Sequence, residues 1–124
     1  LINGMNVFSF AISRPPKSIE SFLTDYNLDR NVDIDYFLIH QANKLIVDRL
    51  VKKMKLDPQK VPYNLQEFGN LGGASIPMIM TSEIAEDLQN KPLTLMCSAF
   101  GLGLTWGTMV LKTKPMFVLP VNKI

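Results

Sequence analysis

The sequence predicts an α/β domain in which helices cover a mixed sheet, and three observations predict it. An apolar run from Ile34 to His40 passes directly into an i, i+4 pattern through Ile46, Leu50 and Met54, as a buried strand followed by an amphipathic helix would. Two further apolar segments, 93–100 and 104–113, are joined by Gly101-Leu102-Gly103, a connection of hairpin length. Upstream, Ile19, Phe22, Leu23 and Tyr26 recur at helical spacing. Helices and strands therefore alternate and close on an antiparallel pair.

Taken in order, residues 6–12 mix apolar and small side chains and read as a short helix. Arg14-Pro15-Pro16 ends it, because proline drives the preceding residue out of helical geometry. A second helix starts near Pro16, buries the face carrying Ile19 and Leu23, and runs to about residue 28 before Asp29-Arg30-Asn31. The strand over 34–40 is bounded by Asp33 and Asp35 and ends at His40. The helix over 42–55 adds Val47 and Val51 to its apolar face and carries Lys44, Arg49, Lys52, Lys53 and Lys55 outside, against Asp48. Asp57-Pro58 opens a loop. Gly69, Gly72, Gly73 and Pro77 predict a tight, backbone-lined turn around Asn70, feeding a helix to about Leu88.

The bulk properties narrow the function classes. At 124 residues the chain is long enough for one compact domain burying about two thirds of its unfolded surface. A 47% hydrophobic share excludes a disordered chain. A net charge of +2 is too small to argue for nucleic acid as a partner. No apolar run approaches the roughly 18 residues of a membrane span, and the first residues lack the pattern of a secretion signal. One cysteine, Cys97, forms no intramolecular disulfide and fits a reducing cytoplasm, and one His with one Cys builds no metal cluster. The chain begins at Leu1 and not at methionine, so it is expected to be a piece of a longer protein.

Single residues are weak pointers. His40 stands where a strand meets a helix, a place where open α/β sheets expose functional groups, but a lone histidine there is more readily a structural one. Asn70 among glycines is a common turn residue, and Gly101 with Gly103 is sufficient for a hairpin. Cys97, His40 and Asn70 are the residue types of a cysteine-protease triad, yet Cys97 sits inside an apolar strand and reads as an inert core thiol.

Together the motifs are more specific. His40-Gln41-Ala42-Asn43, then Phe68-Gly69-Asn70 with Ala74-Ser75-Ile76-Pro77, then Phe100-Gly101-Leu102-Gly103-Leu104-Thr105-Trp106-Gly107 closely resemble, in order and spacing, the C-terminal half of 3-oxoacyl-[acyl-carrier-protein] synthase III. The resemblance covers nearly the whole chain, from Asn3-Gly4 and Val7-Phe8 onward. It implies a thiolase fold, with two similar halves that build the active site between them, and a Cys-His-Asn site whose cysteine lies in the other half. His40 and Asn70 then stand as the catalytic pair.

The resemblance also implies the chemistry. An acyl group passes from coenzyme A to the cysteine, and malonyl-acyl carrier protein decarboxylates to an enolate that attacks it, initiating fatty acid synthesis. His40 as a neutral imidazole and Asn70 as an amide would donate to the malonyl thioester oxygen. Gly101, Leu102 and Gly103 correspond to a loop whose backbone N–H groups stabilise the acyl oxyanion, with Leu102 where glycine is common. Leu71-Gly72-Gly73 departs from the usual Thr-Ser-Ala, and Met5 replaces a polar residue. Gly4 and Asn43 match positions lining the pantetheine tunnel, and Lys52 and Lys53 match positions near the site mouth, where they could steer an acidic carrier protein. A homodimer in the cytoplasm, with no cofactor beyond the coenzyme A thioester substrate, is the further expectation. Related condensing enzymes of secondary metabolism and a non-catalytic binding or dimerisation module are the competing functions, and the isolated chain is expected to be inactive.

Overall fold

The computed structural model describes residues 4–122. Asn3, matched at the sequence level, lies outside them. Helix α1 (Gly4–Ala11) is followed by α2 (Arg14–Asp25), and the two are separated by Ile12 and Ser13 alone. Pro15 and Pro16 occupy the first turn of α2, where a helix leaves N–H groups unpaired in any case, so this helix starts two residues before the predicted Pro16. It also ends earlier than predicted. Asn27 takes a left-handed φ of 50°, and its N–H and that of Leu28 donate to Thr24 and Leu23 carbonyls, closing the helix as a Schellman motif. Tyr26, predicted on the buried face, lies past the end of α2 and is exposed, with its ring stacked on Phe22.

Strand β1 (Tyr36–Ile39) is shorter than the predicted 34–40 because Asp35 seals its start, donating its own N–H to the Thr94 carbonyl and accepting the Thr94 N–H on its carboxylate. Helix α3 (Lys44–Met54) is capped by Asn43 and ends in a second Schellman-type closure, with Lys55 at φ 52° and the Leu56 N–H donating to the Val51 carbonyl. A single turn, α4 (Leu65–Phe68), precedes a 3-10 turn over Gly72–Ala74. The helix predicted to run to Leu88 is two pieces, α5 (Ser75–Ser82) and α6 (Ala85–Asn90). The break at Glu83-Ile84 lets Ile79, Ile84 and Leu88 all face one core, which a straight helix could not do at that spacing.

Strands β2 (Leu93–Gly101) and β3 (Thr105–Thr113) complete a three-stranded sheet in the order β1-β2-β3. β1 runs parallel to β2, with Tyr36 opposite Leu95, and β3 runs antiparallel, with Phe100 opposite Trp106. The two-residue period divides the core cleanly. Phe37, Ile39, Met96 and Phe100 pack on the α1, α2 and α3 side, whereas Leu38, Leu95 and Cys97 pack on the α5 and α6 side. Residues 114–122 carry no regular structure but are tied down, Met116 N–H to Leu88, Val121 N–H to Thr81, and the Gln89 side-chain amide to Val118.

Candidate active site

The motif His40-Gln41-Ala42-Asn43 divides four tasks among four residues. The His40 N–H extends the parallel ladder, donating to the Ser98 carbonyl at 2.9 Å, and the His40 carbonyl accepts from Ala42. Gln41 is wholly buried and its amide donates to the Ile39 carbonyl at 2.9 Å, which locks the turn from inside. Asn43, extended at φ −160°, caps α3 by accepting the Ile46 N–H on Oδ1. These four hydrogen bonds fix the backbone from which the histidine side chain projects.

The His40 ring meets the Phe100 ring edge-on, centroids 5.1 Å apart and planes at 85°. It is 7% exposed, and burial pushes its pKa below the ordinary histidine value. Its imidazole is therefore neutral at physiological pH and presents one N–H donor. No hydrogen bond to the ring is made among the described residues.

Asn70 reaches the same cavity from the turn before α5. Its Oδ1 accepts the Gly72 N–H at 2.9 Å, an Asx turn that fixes which end of the amide is oxygen. Nδ2 makes no hydrogen bond among the described residues. The turn needs its glycines: Gly69 and Gly72 stand at φ 67° and 56°, where other residues are strained. Leu71-Gly72-Gly73 is thus a consistent local solution to holding Asn70.

His40, Asn70, Gly101 and Leu102 line one open cavity of about 740 Å³, with Phe100 and Trp106. Leu102 keeps a negative φ, and the left-handed position falls on Gly103 at φ 106°. Leucine at 102 therefore carries no backbone strain. β2 extends to Gly101 and β3 begins at Thr105, so the connection is Leu102-Gly103-Leu104, one residue beyond the predicted one.

The remaining predicted residues lie elsewhere. Gly103, Gly4 and Asn43 do not line this cavity. Gly4 opens α1, and both it and Asn43 are exposed. Lys52 borders a separate cavity between α3 and the 58–63 segment, while Lys53 donates to the Ile12 carbonyl at 2.6 Å, joining α3 to the end of α1. Cys97 is 2% exposed, packs on the opposite side of the sheet from Phe100, and burial pushes its thiol up to about 11, so it is the inert thiol the sequence predicts. Among the described residues, no cluster of three His, Cys, Asp or Glu side chains could hold a metal ion, and no helix is long and apolar enough to cross a membrane. Sequence reasoning assigned no role to Phe100 or Trp106. Phe100 reaches His40 only through the parallel β1–β2 register, which no local pattern encodes.

Helices on both faces of a mixed sheet, with a histidine at the end of the parallel strand and a glycine-containing hairpin beside it, define the C-terminal part of a thiolase-like fold. The structure matches a 3-oxoacyl-(acyl carrier protein) synthase from Burkholderia xenovorans at a TM-score of 0.91 and 32% identity, over 97% of this chain and 34% of that one. It matches 3-oxoacyl-(acyl carrier protein) synthase III from Pseudomonas aeruginosa at 0.83 and 26%, over 97% of this chain and 37% of that one. In sequence it is 39% identical to the beta-ketoacyl-[acyl-carrier-protein] synthase III of Microcystis aeruginosa over 90% of this chain and 33% of the relative. To that of Streptococcus pneumoniae it is 38% identical, over 89% and 34%. Residues 25–113 match the 3-oxoacyl-[acyl-carrier-protein (ACP)] synthase III C-terminal family, and the chain belongs to that family. It spans about a third of the length of these relatives.

Proposed function

We propose that this chain supplies the enolate-stabilising side of a condensing acyltransferase that joins an acyl-CoA primer to malonyl-acyl carrier protein with decarboxylation, the first condensation of fatty acid synthesis. The observation that carries the reading is the donor arrangement: the Asn70 oxygen is occupied by Gly72 while Nδ2 is not, and a neutral His40 borders the same cavity.

Decarboxylation leaves an electron pair that the malonyl thioester carbonyl must take up, so negative charge grows on its oxygen. Two neutral donors aimed at that oxygen stabilise the transition state, each worth about 2.7 to 4 kcal/mol. Asn70 Nδ2 and one His40 ring N–H are those donors. The enolate carbon then attacks the acyl thioester of a cysteine supplied by the rest of the protein, while backbone N–H groups of the 101–103 loop hold the second oxyanion. No metal and no cofactor takes part; the coenzyme A thioester is a substrate.

Gly4 and Asn43 are proposed for the pantetheine arm. Asn43 caps α3 with its oxygen alone and keeps its amide N–H groups for a ligand. Lys52 and Lys53 are proposed to steer the acidic carrier protein, with Lys52 carrying more of the effect because the Lys53 ammonium is held by Ile12. The intact protein is proposed to be a cytoplasmic homodimer. The test is the pair of half-reactions in the intact protein: His40→Ala should lose malonyl decarboxylation by about 10² to 10³ and keep acyl transfer to the cysteine. Condensation at the wild-type rate would refute the assignment.

A further inference from the structure

The edge-on contact between Phe100 and His40 lies beside a second set of ring contacts, joined to it by backbone pairing. Phe100 faces Trp106 across the β2–β3 pair, and directly opposed residues leave the same face of a sheet. The Trp106 indole meets Phe10 of α1 edge-on, with centroids 5.6 Å apart and planes at 70°. The Arg14 guanidinium lies over the same indole, 5.9 Å from its centroid. Arg14 in turn opens α2, backed by the buried Pro15 and Pro16, so the Arg-Pro-Pro run that the sequence marks as a helix break also sets the root of this side chain. Trp106 borders the cavity that holds His40 on one side and a smaller one of about 320 Å³ along α2 on the other.

The loop above this pair has little of its own to hold it. Residues 101–105 are all exposed, and the side-chain bond within the loop is that of Thr105 Oγ1 to the Leu102 carbonyl, at 3.0 Å. Its placement depends on the residues at its base. We propose that Arg14 and Trp106 are positioning residues: the Arg14–Trp106–Phe10 brace ties the base of the glycine-containing loop to α1 and α2 and, through Phe100, sets the His40 ring in its donor orientation. The catalytic consequence of this brace rests on the function proposed above; the geometric claim does not.

Two measurements on the intact protein separate them. The Hε1 resonance of His40, assigned by its loss in His40→Ala, reports the Phe100 ring directly, because an aromatic ring at this distance displaces it from its position in an unfolded chain. Arg14→Met and Trp106→Ala should both shift that resonance back toward the unfolded position, and Arg14→Lys, which keeps a cation over the indole, should restore it. In the decarboxylation half-reaction Arg14→Met should lower kcat by about two- to fivefold, with KM unchanged. A His40 resonance unmoved in both Arg14→Met and Trp106→Ala overturns the brace whatever the rates do. A resonance that moves while KM alone changes overturns its catalytic role. A wild-type protein that does not decarboxylate malonyl thioesters refutes the function and leaves the resonance to decide the brace. Arg14 is exposed, so Arg14→Met remains a usable variant even where Trp106→Ala fails to fold.

Discussion

Asn70 spends its side-chain oxygen on the Gly72 backbone N–H and lines the cavity of His40 with its donor nitrogen unused among the described residues. Had the amide been held by its nitrogen, the acceptor would border the cavity and, in the proposed reaction, repel the developing oxyanion. The Asx turn therefore does more than stabilise a loop: it selects the polarity of the site.

That polarity requires glycine at 72. An added Cβ would meet open space, so the cost of Gly72→Ala is conformational, about 1 kcal/mol at φ 56°. The expected result is a small fall in melting temperature with a larger fall in decarboxylation than in acyl transfer, checked by thermal unfolding beside the two half-reactions. Equal loss in both half-reactions would speak against a specific link to Asn70.

His40 also couples the site to pH. Its folded pKa lies below the unfolded value of about 6.5, so the unfolded chain binds the proton more readily. Stability from this residue is complete above about pH 6.5 and falls as pH drops toward the folded pKa. Melting temperatures between about pH 5 and 7.5 should show an acid-side loss that is smaller in His40→Gln, and the acid limb of decarboxylation should have its midpoint below about 6.5.

The isolated chain should carry no condensing activity, since its own thiol is no substitute for a nucleophile. Burial and the raised pKa of Cys97 predict that a thiol-reactive dye labels the folded chain very slowly and the urea-unfolded chain at the rate of a free thiol. Rapid labelling of the folded chain, or turnover of acyl-CoA with malonyl-acyl carrier protein, would contradict this.

Asn43 offers a check on two roles at once. Losing its cap of α3 should cost about 0.5 to 2 kcal/mol in Asn43→Ala. Asn43→Asp keeps the cap oxygen and removes the amide donor, so it should restore stability while still raising KM for the pantetheine-bearing substrate. A normal KM in Asn43→Asp would leave capping as its only role.

Much of this molecule is legible in the sequence because local rules govern it. The apolar stripe of α3, the apolar run of β2 and the hairpin glycines act over a few residues, and each predicts its element to within a residue or two. Element ends failed where distant groups intervene: Asp35 shortens β1 through a bond to Thr94, fifty-nine residues away. The α5–α6 break follows from a core shared with Val118, in a tail that carries no periodic pattern. His40 and Asn70 were recognisable by motif, but their shared cavity, the orientation of the Asn70 amide and the Phe100 contact depend on register and on hydrogen bonds formed only in the fold.

The most direct test of the donor pair is malonyl decarboxylation by Asn70→Asp in the intact protein. The substitution keeps size and can still accept the Gly72 N–H, but it replaces the amide donor with a charged acceptor. The expected result is a loss of at least about 10² in decarboxylation, with acylation from coenzyme A within a few-fold of wild type. Decarboxylation at the wild-type rate would contradict it.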